Sequence, residues 1–76
     1  MNILKIKHFI HLIEKERTGS AKVAAERIGV SERMVFNYVR ILKTELNAPI
    51  NYNRNKQTYL YNENGKLIWK WISENN

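Results

Sequence analysis

The chain has 76 residues, a net charge of +6, no cysteine and no aspartate. That length makes one domain with a limited core, too small for both a reading head and a separate ligand-sensing domain, and the missing thiols exclude a disulfide frame or a thiolate metal site. The charge and a pI near 9.8 point to polyanionic partners.

Residues 1–17, MNILKIKHFIHLIEKER, are apolar but interrupted by Lys5, Lys7, His8 and His11. This is not the continuous apolar run of a signal peptide or membrane span, so a soluble, cytoplasmic, nucleoid-associated protein is expected. Over residues 3–17, Ile3, Ile6, Phe9, Ile10 and Ile13 fall on one side at about 100° per residue, with Leu12 at the rim. Leu4, His8, His11 and Lys15 lie on the other. The pattern predicts an amphipathic helix that Thr18-Gly19 ends, with Gly19 supplying the backbone freedom of a helix stop. His8 and His11, three apart, have no carboxylate or thiol cluster to complete a metal site, and no metal or other cofactor is expected.

Ser20 caps a second helix over 20–28, whose thin apolar face is Val23, Ala24, Ile28 and the small Ala25. Gly29 terminates it, Val30 plugs inward, and Ser31 caps a third helix over 31–46. There Val35, Val39 and Leu42 are spaced four and three apart, and Tyr38 and Leu46 extend the buried line. Asn47-Ala48-Pro49 stops the helix, because Pro49 biases Ala48 away from helical angles.

The remainder reads as β structure over about 50–72. Ile50-Asn51-Tyr52-Asn53 and Thr58-Tyr59-Leu60-Tyr61 alternate as strands around a polar tip, Arg54-Asn55-Lys56-Gln57. Asn64-Gly65 is a two-residue hairpin signal between aromatic-rich runs, which favours a strand over a helix for residues 66–72. Trp69 and Trp71 read as sheet packing or as a partner surface.

The pattern Ala25-x3-Gly29-Val30-Ser31-x3-Val35 specifies two helices crossing steeply: a small residue at the crossing, a glycine in the turn, and apolar plugs on either side. Such a unit can lay its second helix in a major groove with N-terminal residues at base edges. The stretch IGVSERMVFNYVRILKTELNAPINY, residues 28–52, resembles the N-terminal winged-helix domain of bacterial DeoR-type and WYL-domain transcription regulators. In those families a GVS-x-R turn leads the recognition helix and an L-GAPI-Y phrase leads into the wing. Here these are Gly29-Val30-Ser31-Glu32-Arg33 and Leu46-Asn47-Ala48-Pro49-Ile50-Asn51-Tyr52. The resemblance covers roughly residues 5–62 and implies an α+β winged helix: a three-helix helix-turn-helix core followed by a small antiparallel β-sheet wing. The larger relatives carry a sensor domain afterwards, where this chain has residues 66–76. They often have a further basic residue where Asn37 stands, which implies a different contact there.

The resemblance implies a set of DNA-contacting residues. With Val35, Val39 and Leu42 inward, the outward residues of the third helix are Glu32, Arg33, Phe36, Asn37, Arg40 and Lys43. Arg33 and Asn37 are the candidates for base readout, arginine for guanine and asparagine for adenine; Arg40 and Lys43 reach phosphates. Ser20, Lys22 and Ser31 sit at helix starts, where free N–H groups and the dipole favour an anion. Arg54, Asn55, Lys56 and Gln57 at the wing tip would contact the backbone or a minor groove. Each has a plainer reading. Exposed Arg and Lys often form only a solvated face, Glu32 complements a helix dipole, and Phe36 packs half-buried against the wing.

The expected function is sequence-specific double-stranded DNA binding by a bacterial transcription regulator, with homodimerisation on paired half-sites allowed and no small-molecule effector or membrane partner in view. The alternative is a protein-interaction or dimerisation module using Trp69, Trp71 and Phe36. RNA binding by the same basic surface is a third reading. No paired carboxylates, nucleophile–base spacing or phosphate loop marks an enzyme.

Overall fold

A computed structural model describes residues 3–67 and 71–73. Its elements run α1 (Ile3–Glu14), α2 (Ala21–Ile28), α3 (Glu32–Glu45), β1 (Ile50–Asn53), β2 (Thr58–Tyr61), β3 (Gly65–Leu67) and β4 (Trp71–Ser73). The fold is α+β: three helices followed by a two-stranded antiparallel sheet, β1–β2, with β3 and β4 forming a second small pair. This arrangement is compatible with a winged helix.

The core is one cluster to which every helix contributes: Ile6, Phe9 and Ile13 from α1, Ala24, Ala25 and Ile28 from α2, Val35, Tyr38 and Leu42 from α3. Ala48, Ile50 and Tyr59 join it from the hairpin side. Phe9 is the hub. Its ring is fully buried and lies 6.1 Å from Tyr38 on α3 and 6.0 Å from Tyr59 on β2, edge-on to the latter. Aromatic pairs at such spacings add favourable quadrupole contacts to the area they bury. One residue of α1 thereby ties the third helix to the hairpin.

The capping chemistry of α2 and α3 matches the sequence. Ser20 Oγ accepts from the Val23 N–H at 3.3 Å and Ser31 Oγ from the Met34 N–H at 3.1 Å, each satisfying one orphan donor of a first turn. Gly29 takes φ +73°, and the Gly29 and Val30 N–H groups both donate to Ala25 O. After α3, Asn47 takes φ +56°, a conformation asparagine tolerates.

The end of α1 differs from expectation. The helix stops at Glu14, short of residue 17, and Glu16 rather than Gly19 makes the stop at φ +54°. The Glu16 N–H donates to Ile13 O and the Arg17 N–H to Leu12 O, both at 2.9 Å, the paired bonds of a Schellman end. Gly19 is also left-handed at φ +73°, but its role is close packing: a Cβ there would sit 2.7 Å from Val23 Cγ1.

Three apolar assignments also shift. Ile3 is 65 % exposed and Val23 37 % exposed, since the ends of the α1 stripe and the α2 face outrun the core beneath them. Val39 is half-buried and Tyr38 takes the central position. The tail differs more. Asn64 and Gly65 do not form a hairpin turn: neither has positive φ, residues 62–64 form a bend, and Gly65 opens β3. β3 pairs with β4, Leu67 opposite Trp71, and not with β2. Asn-Gly permits a left-handed turn without compelling one, and here the Asn62 N–H donates instead to Pro49 O at 2.7 Å, closing the base of the first hairpin. Residues 66–67 and 71–72 are strand, as expected, in two segments that pair with each other, and residues 68–70, Trp69 among them, lie outside the described residues.

Candidate nucleic-acid interface

The candidate interface starts from the corner between α2 and α3. Gly29 gives the reversal, and Lys5 braces it: its Nζ donates to Ile28 O at 3.1 Å and Gly29 O at 2.9 Å. An ammonium at the C-terminus of α2 satisfies carbonyls the helix leaves open and complements its dipole. Sequence reading took Lys5 only as a break in an apolar run, because its partners are 23 and 24 residues away.

With Val35, Tyr38 and Leu42 buried, helical geometry turns Arg33 and Arg40 to the opposite side, and both are exposed. Between them in sequence stands Asn37, half-buried, whose Oδ1 accepts from Arg40 Nη2 at 3.4 Å. That bond leaves the Asn37 amide nitrogen and the remaining guanidinium donors for an acceptor-rich partner. Glu32 and Lys43 are exposed on the same helix. The carboxylate of Glu32 reaches electrostatically to Tyr59, whose phenol pKa is raised mainly by burial, then by Tyr52, then by Glu32. Phe36 is 54 % exposed, more open than the half-buried packing against a wing that one reading of it required.

Along one flank of α3, Lys5, Val30, Ser31, Met34, Asn37 and Arg40 border an open groove of about 520 Å³. The α3 N-cap Ser31 and the Asn37–Arg40 pair share this edge.

The β1–β2 hairpin pairs Ile50 with Tyr61 through to Asn53 with Thr58, leaving Arg54, Asn55, Lys56 and Gln57 as an exposed four-residue tip. Asn53 Oδ1 accepts from the Lys56 N–H at 2.8 Å and Gln57 closes the loop at φ +53°, an Asx-stabilised turn. Lys56 Nζ meets Glu16 Oε1 at 3.1 Å.

A buried threonine pair fixes where this tip sits. Thr58 Oγ1 accepts from the Thr18 N–H at 3.0 Å, the Tyr59 N–H donates to Thr18 Oγ1 at 2.8 Å, and the two hydroxyl oxygens are 2.9 Å apart. The Gly19 N–H adds a longer bond to Thr58 Oγ1 at 3.4 Å. Both threonines are almost fully buried, so these bonds stand in a low-dielectric setting where losing a partner is costly. They join the base of the tip to the residues that precede Ser20. The α2 N-terminus, with exposed Lys22, and the hairpin tip are therefore neighbours. Nothing local in the sequence marks Thr18 or Thr58 as partners 40 residues apart.

The predicted residues thus form two groups: Ser31, Glu32, Arg33, Phe36, Asn37, Arg40 and Lys43 on α3, and Ser20, Lys22, Arg54, Asn55, Lys56 and Gln57 around the hairpin base and tip. No helix among the described residues is long and apolar enough to cross a membrane. Compared with known proteins, the chain matches no family model, no curated protein and no solved structure.

Proposed function

We propose that this chain is a winged helix that binds double-stranded DNA in a sequence-specific way, as a bacterial transcription regulator of the DeoR and WYL-domain kind. The observation that carries the reading is the outward face of α3, where Arg33 and Arg40 stand opposite the buried Val35, Tyr38 and Leu42 and Arg40 bonds the half-buried Asn37. A 14-residue helix is about 21 Å long, and a major groove about 12 Å wide admits it. Arg33, at the helix start, reads guanine; Asn37, oriented by Arg40, reads adenine; Arg40 and Lys43 meet phosphates. Arg54 and Lys56 at the wing tip and Lys22 at the α2 start hold the backbone, which sets register without reading sequence. The net charge of +6 and the resemblance carried by residues 29–33 and 46–52 support the same reading.

Selection from random duplex DNA at low and high salt tests it. An enriched motif that Arg33→Ala blurs is the expected result; recovery of unenriched DNA at both salts defeats sequence-specific readout. The exposed Phe36 ring and the groove beside Met34 favour one competing reading, a protein-interaction module. Native mass spectrometry showing a stable dimer, with no duplex binding at low salt, would establish that reading instead.

A further inference from the structure

Glu16 is the conspicuous residue outside the candidate DNA contacts. The position it occupies, the left-handed residue after a helix, is one that glycine or asparagine ordinarily fills, yet here it holds a glutamate at φ +54°. Its carboxylate meets the ammonium of Lys56, the lysine of the hairpin tip, at 3.1 Å. The main-chain positions from which the two side chains reach each other are set by other bonds. The Schellman bonds fix the backbone of Glu16, and the Thr18–Thr58 bonds fix the hairpin against the residues just after it.

We infer that Glu16 is an internal stand-in for a DNA phosphate: it occupies Lys56 in the free protein, weakens the wing contact and flattens its salt dependence. The inference rests on the DNA-binding reading above. Moving Lys56 from Glu16 to a phosphate frees the cations condensed on that phosphate but leaves the Glu16 carboxylate to gather a cation of its own, so the net release is smaller than for an unpaired lysine. The ion pair is well exposed, with side chains 60 % and 48 % accessible, so it is weak enough for DNA to exchange. Once the exchange has occurred, the displaced carboxylate remains beside a polyanion and opposes the complex. Glu16 thereby tunes how strongly the wing holds DNA, leaving sequence choice to α3.

The test uses fluorescence anisotropy with a 25-base-pair random-sequence duplex, from 50 to 200 mM salt, on wild type, Glu16→Gln, Lys56→Ala and the double variant. Glutamine keeps the size and backbone demands of position 16, and thermal melts confirm that all four remain folded. Glu16→Gln should bind about threefold tighter at the lowest salt and show a log–log salt slope steeper by up to about 0.9, the increment for one additional phosphate contact. In the Lys56→Ala background the gain should shrink by at least half. An equal gain in both backgrounds makes Glu16 a generic unfavourable charge and overturns the pairing, as does an unchanged or weakened Glu16→Gln. Wild type failing to bind duplex at 50 mM salt is the separate outcome that defeats the DNA reading, and this inference with it.

Discussion

At the scale of single residues, two kinds of group matter: those that touch a partner and those that aim them. Under the proposed function Arg33 belongs to the first. Arg33→Ala should weaken binding to a preferred duplex by about 1–3 kcal/mol while changing non-specific binding much less, the signature of a base contact. Competition titrations with specific and scrambled duplexes measure the difference. Thr58 belongs to the second. Thr58→Val keeps the shape but leaves the Thr18 and Gly19 N–H groups without their acceptor, which should destabilise the fold by about 1–3 kcal/mol in urea unfolding. Tyr61 reports on the packing beneath the hairpin: burial, with Glu14 adding to it, pushes its phenol up to about 12. The native state holds that proton to about pH 12 while the unfolded chain releases it near 10.0, so stability falls as pH rises through this window. Because the group is partly exposed, the loss is on the order of 1–2 kcal/mol and not the full ~2.7 of a two-unit shift. Alkaline absorbance titration beside circular dichroism should show one tyrosine ionising last, with loss of structure.

At the scale of elements, the α2–α3 corner is the most sharply specified feature. Gly29→Ala forces a side chain into a left-handed conformation at a cost of about 1–2 kcal/mol, and its Cβ would lie 3.0 Å from the Lys5 ammonium that braces the turn. A lowered urea midpoint with an unchanged m-value is the expected outcome. This corner was legible in the sequence because its signals are local: Ser20, Gly29 and Ser31 each act within four residues. The hairpin tip was legible for the same reason, as a polar four-residue loop between two alternating strands. The end of α1 was not, because the stop fell on Glu16, whose side chain gives no sign of left-handed preference. Nor was the tail, where Asn64-Gly65 offered a turn that the chain declined once Asn62 had bonded back to Pro49.

At the scale of the whole molecule, the hidden features are long-range bonds that hold the local ones in place. Lys5 to the α2–α3 corner and Thr18 to Thr58 span 23 to 40 residues, and no spacing rule connects such pairs before the fold does. Around Phe9 they make helix and hairpin one frame, and under the proposed function α3 and the tip are two grips on one duplex. With Lys22, Arg40, Lys43, Arg54 and Lys56 as the phosphate-contacting cations, the salt slope should approach about −4 to −5, a loss of a few hundredfold to a thousandfold in affinity between 50 and 200 mM salt. The central claim is that both grips engage together, and its most direct test is an amide NMR titration of the ¹⁵N-labelled protein with a selected duplex. The account predicts shift changes concentrated at residues 31–43 and 54–57 and at the start of α2, appearing at the same DNA concentration. Changes confined to one grip, or centred on residues remote from both, would contradict it.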